Sequence, residues 1–404
     1  MGCGSWWPQV GLDGWNVSIC RMLIHSRDIL ERLVGFKTVS RDTNLDLIDY
    51  ARTLLVGIGA SCRLYHDSAG RKANLFATIG PSDTGGILLS GHTDVVPVDG
   101  QNWSSDPFLL RERNGQLYAR GSADMKGFLA CAMAAAARAA GRNLRIPLHL
   151  AFSYDEEIGC IGVRSLIEDM SAWAYRPQCC IVGEPTLLRT AIGHKGKTAL
   201  SAVCHGQAAH SAMPKSGVNA IYLASALVDR VQALQRDIEV NGPRDSGYEV
   251  PHTTLHVGTV HGGTALNIVP ERCELEFEIR NLPTDDPDRL VDRLKGDAKS
   301  IAETEARPGC RAKIEFEILH AYPGLDTPSE SEVVGLVSGL TGQRDLIKVS
   351  FGTEGGLFSS HLGIPTVVCG PGSIEQAHKP DEFVTIDQIL RCDRVLDAIV
   401  DRLV

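Results

Sequence analysis

Several short apolar runs along this chain end in a histidine or a carboxylate. The polar residues that follow them are His92, Asp94, Asp124, Asp155, Glu156, Glu157, Glu184 and His378. Most of the runs are rich in Leu, Ile, Val or Cys, which is typical of buried strands. Because ligands bind outside the carboxyl ends of the strands in an open α/β sheet, we expect these polar ends to meet at one place.

The predicted elements alternate between helix and strand from about residue 26 to residue 183. The pattern predicts helices ending near residue 35 and over 45–57, 127–140 and about 159–170, and strands over 73–79, 87–90, 146–153 and 179–182. This alternation is typical of a mostly parallel sheet covered by helices on both faces.

The pattern changes between about residues 190 and 320. Strands over 197–205, 253–260, 271–280 and 313–319 and helices over 218–236 and 286–302 give the order βαββαβ, a ferredoxin-like unit. After Pro323 the α/β pattern returns, with a helix over 333–340, a glycine-rich loop over 351–356, a strand over 366–369 and a closing helix. We therefore predict an α/β fold in which a domain with a mostly parallel sheet (residues 22–188 and 321–404) is interrupted by a ferredoxin-like domain (residues 189–320).

The first 21 residues do not fit this organisation. They contain Trp6, Trp7 and Trp15 but no amphipathic period, and they lack the basic and apolar regions of a signal peptide. Met22 opens a clear helical pattern. We expect residues 1–21 to be a disordered tail or a start-site artefact.

Composition excludes several classes of function. A hydrophobic content of 43% and a charged content of 22% are ordinary for a soluble globular protein. The net charge of −9, without a Lys/Arg-rich run, argues against a nucleic-acid-binding protein, and no apolar stretch is long enough for a membrane span. The 12 cysteines form no C-x-x-C pair and several lie in apolar patterns, so we expect a reducing, cytoplasmic location.

The polar strand ends indicate a metal site only when they are taken together. His92 and Asp94 lie two residues apart, so both can face one side, with His92 as ligand and Asp94 as partner of its other ring nitrogen. Alone, Asp124 is more typical of a helix N-cap, and the acids at 155–157 are equally typical of a solvated loop. Their joint occurrence favours metal binding, because clustered carboxylates repel one another unless cations lie among them.

The donor types point to zinc. The charges of Asp124, Glu157 and Glu184, together with one hydroxide, would balance a pair of divalent cations. Imidazole and carboxylate donors without thiolates suit Zn²⁺, with Co²⁺ or Mn²⁺ as substitutes. Such ions lower the pKa of a bound water toward about 7, and Glu156 could take its proton and deliver it to a leaving amine.

The chain resembles the zinc-dependent deacetylase, desuccinylase and aminoacylase family from Met22 onward. The matching motifs are SGHTDVVPV (90–98), ARGSADMKG (119–127), DEEIG (155–159), GEPT (183–186), AAHSAMP (208–214) and AHKPDEF (377–383). The resemblance implies a dinuclear hydrolase in which His92 binds one metal, His378 binds the other and Asp124 bridges the two. Glu157 and Glu184 would each be a terminal ligand of one metal. Glu156 would be the general base, and Asp94 would orient His92.

Within this family, segments 352–358 and 370–383 look most like the acetylornithine deacetylases of arginine biosynthesis. This likeness implies removal of the acetyl group of N2-acetyl-L-ornithine. The inserted domain resembles the family's dimerisation or lid domain, which implies a homodimer. In it, His210 is expected to reach the partner subunit's site and polarise the scissile carbonyl, and Asn267 and Arg280 to hold the substrate α-carboxylate. Alone, Arg280 is also typical of a charge on a surface strand.

Two departures from the family pattern leave the substrate open. Phe128 stands where the family usually has glycine, and Gly355 where acetylornithine deacetylases commonly have alanine. The alternatives are the same chemistry on another N-acylamino acid such as succinyl-diaminopimelate, a related exopeptidase, and a non-catalytic relative that serves as a binding protein.

Overall fold

The computed structural model describes residues 25–404, so the prediction for residues 1–21 lies outside the described part. The helices are α1 (Ser26–Gly35), α2 (Leu45–Gly57), α3 (Lys126–Ala139), α4 (Val163–Ser171), α5 (Ala220–Asn241), α6 (Pro287–Glu305), α7 (Glu332–Thr341), α8 (Gly355–Leu362) and α9 (Ile386–Arg402). The strands are β1 (Ser61–His66), β2 (Ala73–Ile79), β3 (Ile87–His92), β4 (Arg111–Arg113), β5 (Gln116–Tyr118), β6 (Leu148–Ser153), β7 (Cys179–Pro185), β8 (Ala191–His194), β9 (Lys197–His205), β10 (Thr254–Gly262), β11 (Arg272–Arg280), β12 (Lys313–Tyr322), β13 (Leu325–Asp326), β14 (Ile347–Val349), β15 (Thr366–Gly370) and β16 (Phe383–Thr385).

A large central sheet has the strand order β1-β2-β6-β3-β7-β15-β8-β13, with β14 paired to β8. Its middle strands β6, β3, β7 and β15 are parallel, and antiparallel strands flank them on both sides. Helices cover both faces: α1, α2, α3, α7 and α9 on one side, α4 and α8 on the other. The predicted α/β fold with a mostly parallel sheet is confirmed.

Helix α3 lies between the sheet and the other helices of its layer. Nearly every one of its residues is buried, and α1 and α9 pack on its outer side. Alanine fills most of these positions, and its small side chain lets neighbouring helices approach from several directions. A helix that is apolar all round is expected to be buried in this way.

The inserted domain is a four-stranded antiparallel sheet with the order β10-β11-β9-β12. Helices α5 and α6 cover one face and form a separate core with it. In β11 the residues Cys273, Leu275, Phe277 and Ile279 are buried and alternate with more exposed polar residues. This element order and pairing confirm the predicted ferredoxin-like unit.

Two local predictions differ from the structure. The strand β8, which sequence analysis placed in the inserted segment, pairs with β13, β14 and β15 of the large sheet, because those late strands lie beside it only after folding. Helix α8, which was not predicted, begins at Gly355 near the end of the segment predicted as a glycine-rich loop and continues to Leu362. A Cβ at Gly356 would lie 2.2 Å from the Pro323 carbonyl oxygen, so a close approach of two backbones explains that glycine.

The described residues also show the length of the apolar helices and the state of the cysteines. No helix between residues 25 and 404 is long and apolar enough to cross a membrane. Every cysteine in that range is free. Free thiols fit a reducing compartment, and the cytoplasmic location itself stays a prediction.

The large residue Phe128 lies in the core and not in a cleft. It is 1% exposed, at the start of α3, and its ring packs directly on Gly183 in β7. A Cβ at Gly183 would lie 1.9 Å from Phe128 Cγ. The Phe128 ring therefore fills the space between α3 and β7, and the residue that faces it in β7 must be glycine.

We expect Gly183→Ala to destabilise the protein by about 1–3 kcal/mol or more, because the new methyl group overlaps the aromatic ring. In a Phe128→Ala background the same substitution should cost much less, since the ring is gone. Urea unfolding of the wild type, the two single variants and the double variant measures this coupling. Equal costs of Gly183→Ala in both backgrounds would contradict the packing.

Candidate metal centre

The polar residues predicted from the strand ends come together at one edge of the large sheet. His92 ends β3, Glu156 and Glu157 lie in the turn after β6, and Glu184 lies near the end of β7. His378 lies in the loop after β15, and Asp124 just precedes α3. The carboxyl ends of parallel strands share an edge, which explains the convergence. Met125, and not Asp124, holds the N-cap position of α3.

The carboxylate of Asp124 lies between two imidazoles. Its Oδ1 is 3.1 Å from His92 Nε2, and its Oδ2 is 3.2 Å from His378 Nε2. Glu184 Oε1 lies 3.7 Å from the same His92 nitrogen, and Glu157 Oε2 lies 3.1 Å from the same His378 nitrogen. Each histidine thus has its own glutamate and both share Asp124, as two neighbouring cations with one bridging carboxylate would require.

The environment of these acids fits divalent cations. Donor atoms of His92, Asp124 and Glu157 lie within 4.8 Å of one another, as do those of His92, Glu156 and Glu184. Glu157 Oε1 is buried and has no hydrogen-bond partner among the residues that the structure describes. Burial and the neighbouring Asp124 raise the pKa of Glu184 well above its usual value. A cation within the cluster would engage the free oxygen and relieve the repulsion.

Glu156 differs from the other acids of the cluster. Within residues 25–404 it forms no ion pair with either imidazole, and its Oε1 accepts a hydrogen bond from Cys160 Sγ at 3.3 Å. Burial raises the pKa of this carboxyl to about 8. A carboxyl that lies beside the candidate metal positions and titrates near neutral pH has the properties of a group that transfers protons.

Asp94 supports the site in another way than predicted. His92 Nδ1 is 2.8 Å from the main-chain oxygen of Asp94 and 3.7 Å from its carboxylate, so the carbonyl is the nearer partner of the ring. The carboxylate accepts hydrogen bonds from Ser40 Oγ at 2.7 Å and from the main-chain nitrogens of Glu156 and Glu157 at 3.2 and 3.4 Å. Asp94 therefore fixes both the imidazole and the turn that carries the two glutamates.

In the described contacts, none of the three predicted substrate residues joins this cluster. His210 and Asn267 are exposed neighbours on the inserted domain, where Ser211 N donates to Asn267 O at 3.1 Å. Among the described hydrogen bonds and ion pairs, none connects either residue to the metal-centre residues. Arg280 lies at the end of β11 and is paired with Glu278, 3.0 Å from Nε to Oε1. A substrate carboxylate at Arg280 would have to share its guanidinium with Glu278.

One buried acid near the centre was missed. Glu354 precedes α8, its Oε2 accepts a hydrogen bond from Ser90 Oγ at 3.3 Å, and its Oε1 has no partner among the described residues. Burial raises the pKa of this carboxyl to about 7. An acid in a glycine-rich segment gave no sign of burial in the sequence, because it reaches strand β3 only through the folded sheet.

A family model described as peptidase family M20/M25/M40 matches residues 88–402. The chain belongs to this family. The predicted family resemblance is therefore confirmed, and the chain is a metal-dependent hydrolase. Acetylornithine deacetylase of Myxococcus xanthus is 36% identical over 379 residues, 93% of this chain and 96% of that protein. Acetylornithine deacetylase of Proteus mirabilis is 38% identical over 317 residues, 78% of each chain.

Solved structures of M20 proteins share the fold. The M20 family metallo-carboxypeptidase of Sulfolobus solfataricus superposes with a TM-score of 0.74 at 19% identity, over 93% of this chain and 98% of that one. A dinuclear metal-binding M20 peptidase of Bacillus subtilis gives a TM-score of 0.67 at 14% identity, over 94% of this chain and 97% of that one. At these identities the likeness concerns the fold alone.

Removing the metal should make stability depend on pH near neutrality. Burial raises the pKa of Glu156 to about 8, and hydrogen bonds with Asp124 and Glu157 raise the pKa of His378 to about 10. The folded metal-free protein thus keeps protons that the unfolded chain releases. The Glu156 contribution is complete below about 4.5 and is lost as the pH rises through about 8, by at most about 1.4 kcal/mol per pH unit.

Urea unfolding of chelated protein at pH 6.5 and pH 8 measures this dependence. We expect the free energy of unfolding to fall over that interval, and Glu156→Gln to reduce the slope. Zinc-loaded protein serves as the control, because cations replace the protons there. Chelated protein that becomes more stable as the pH rises would show the cluster to be assigned wrongly.

Proposed function

We propose that this M20 hydrolase removes the acetyl group from N2-acetyl-L-ornithine, a step of arginine biosynthesis, with two Zn²⁺ ions as cofactors. The observation that carries the proposal is the cluster of His92, Asp124, Glu157, Glu184 and His378 in a chain that resembles an acetylornithine deacetylase over 93% of its length. Solved peptidases that share the fold, such as the tripeptidase of Staphylococcus aureus at 22% identity and the M20 peptidase of Bacillus subtilis at 14%, are less similar in sequence, so they give less support to an exopeptidase.

The metal positions follow from the two donor groups. His92 and Glu184 would hold one ion, His378 and Glu157 the other, and Asp124 both. Bound there, the pair supplies an activated water and polarises the amide carbonyl, with Co²⁺ or Mn²⁺ as possible substitutes for zinc.

Glu156 would move the proton of this reaction. It takes a proton from the attacking water and delivers it to the departing amine nitrogen, so that acetate and ornithine are released. Cys160 occupies one of its oxygens, which leaves the other oxygen for the water. Asp94 holds the main chain of the same turn and so fixes the position of the base.

A substrate panel tests the proposed activity. We expect zinc-loaded protein to hydrolyse N2-acetyl-L-ornithine with a higher kcat/KM than succinyl-diaminopimelate, other N-acetylamino acids or dipeptides. Glu156→Gln should keep the zinc content and lose roughly 10²–10⁴-fold in turnover, because only proton transfer is removed. Chelated wild type serves as a second control.

Other outcomes point to the alternatives. Preference for succinyl-diaminopimelate or a dipeptide would replace the proposed substrate. Loss of zinc from Glu156→Gln would make that residue a ligand instead of the base. A zinc-loaded wild type without any hydrolysis would favour a non-catalytic relative.

We also propose that the protein forms a homodimer through the inserted domain. Strand β10 is an edge of the four-stranded sheet and is exposed along most of its length. Exposed apolar residues line a shallow cavity together with Gly262 at the end of this strand, including Tyr222, which is 67% exposed, and Leu266 in the loop that also carries Asn267. An unpaired edge strand and exposed apolar side chains are typical of protein interfaces. His210 lies at this surface, which suits a role in the partner subunit's site.

Subunit mixing tests whether His210 acts across the dimer. His210→Ala and Glu156→Gln should each be inactive alone. After subunit exchange, a mixed dimer contains one site with both groups intact, so an equal mixture should regain roughly a quarter of wild-type activity. No recovery, in a mixture that sedimentation shows to be dimeric, would mean that His210 does not act in trans. Wild-type protein that sediments as a monomer would contradict the dimer itself.

A further inference from the structure

A buried ion pair outside the metal centre joins the two loops that carry Asp124 and His378. The carboxylate of Glu382, four residues after His378, is 2.6 Å from Arg120 Nη1, and both side chains are almost completely buried. Glu382 Oε1 accepts hydrogen bonds from the main-chain nitrogens of Ala123 at 2.9 Å and of Asp124 at 3.1 Å. The loop of one candidate ligand therefore holds the main chain of the other.

The second carboxylate oxygen of Glu382 is also fully engaged. In addition to Arg120, it accepts a hydrogen bond from Gly121 N at 3.0 Å. Because both oxygens of Glu382 already accept hydrogen bonds, neither is free to ligate a cation. Its contacts are with the main chain of residues 121–124, so it acts on the position of Asp124 and not on the metal.

Gln101 extends this contact to the main chain of His378. Its Oε1 accepts hydrogen bonds from Arg120 Nη2 at 2.6 Å and from Trp103 Nε1 at 3.0 Å. Its Nε2 donates to the main-chain oxygen of His378 at 3.1 Å. His378 has a φ of 62°, a left-handed conformation that costs a non-glycine residue free energy and persists only where neighbours hold it. The Gln101 amide is such a neighbour, and it is itself oriented by Arg120 and Trp103.

We propose that Gln101, Arg120 and Glu382 form a brace that positions Asp124 and His378 and thereby sets the affinity of the metal centre. The three are positioning residues, because none of them contacts the reacting atoms. The proposal rests on the metal centre of the proposed function and is independent of the substrate. Gln101 and Glu382 contact the main chain of His378 and Asp124, and Arg120 links these two side chains, so each member can be altered without removal of a ligand.

Gln101→Met is the most informative variant, because methionine keeps the length of the side chain and loses its amide. Gln376→Met is the matched control: it lies two residues before His378, and its side chain makes no hydrogen bond described within residues 25–404. Zn²⁺ titration of chelated protein by calorimetry gives the affinity of each binding event. Thermal unfolding of the chelated protein reports on the fold separately.

We expect Gln101→Met to weaken one of the two zinc-binding events by roughly 10- to 100-fold, as is usual when a group that orients a metal ligand is lost. The other event should stay unchanged, because His378 serves one metal position only. The chelated variant should unfold at a somewhat lower temperature, because Arg120 Nη2 and Trp103 Nε1 lose their acceptor, and Gln376→Met should match the wild type in both measurements. Glu382→Gln, if it folds, should weaken both events, because Asp124 serves both positions.

Unchanged zinc affinities in Gln101→Met would overturn the brace, and so would an equal loss in Gln376→Met. A lower unfolding temperature without a change in affinity would make Gln101 a purely structural residue and would also overturn it. Failure of the proposed function is distinguishable, because it shows as a wild type that binds zinc and does not hydrolyse acetylornithine. A wild type that binds no zinc would overturn both.

Discussion

The mutual repulsion of buried carboxylates is the constraint on which this structure depends. Asp124, Glu156, Glu157 and Glu184 lie together at one edge of the sheet, and the ion pairs that three of them form involve only the two histidines. The buried basic side chains next to Asp124 in the chain are engaged elsewhere: Arg120 binds Glu382, and Lys126 donates to the main-chain oxygen of Phe36 at 2.8 Å. The part of the protein that the structure describes therefore supplies too little positive charge to this cluster, and divalent cations are the natural compensation.

The sheet and its loops have separate roles in assembling this cluster. The parallel strands place the metal-binding side chains at one edge of the sheet, and hydrogen bonds to the main chain then hold them in position. Asp94 holds the turn of Glu156 and Glu157, and Glu382 holds the turn of Asp124. Asp94 and Glu382 each accept hydrogen bonds from main-chain nitrogens beside the acids of the metal centre. These N–H donors offset the charge of the supporting carboxylate, so it adds little to the repulsion within the cluster.

The inserted domain carries the proposed substrate residues outside the metal centre. Tyr322, the last residue of β12, packs on Gly352 and accepts a hydrogen bond from Arg280, so the junction between the domains lies close to the segment before Glu354. His210 and Asn267 lie apart from the metal donors on an exposed surface beside an edge strand. A domain with its own core can present such residues to a second subunit while the metal-binding domain stays unchanged.

Sequence alone determined the elements whose apolar pattern is local. The strands that end in His92 and Glu184, the alanine-rich helix α3 and the βαββαβ order of the inserted domain could all be predicted, because periodicity and burial agree within each segment. The strand end is also where a ligand must lie, so most donor residues could be named. Strand β1 was missed, because it is a partly exposed edge strand rich in polar residues.

Only the tertiary structure decided how distant segments share a hydrogen bond. The burial of Glu354 and the contact of Glu382 with Asp124 depend on groups that sheet formation brings together, in the second case across 258 positions of the chain. The same holds for β8, whose neighbours in the large sheet come from residues after 320. A carboxylate has the same local sequence signal whether it ligates a cation, caps a turn or faces water; its role follows from the donors that the fold places within about 3 Å of it.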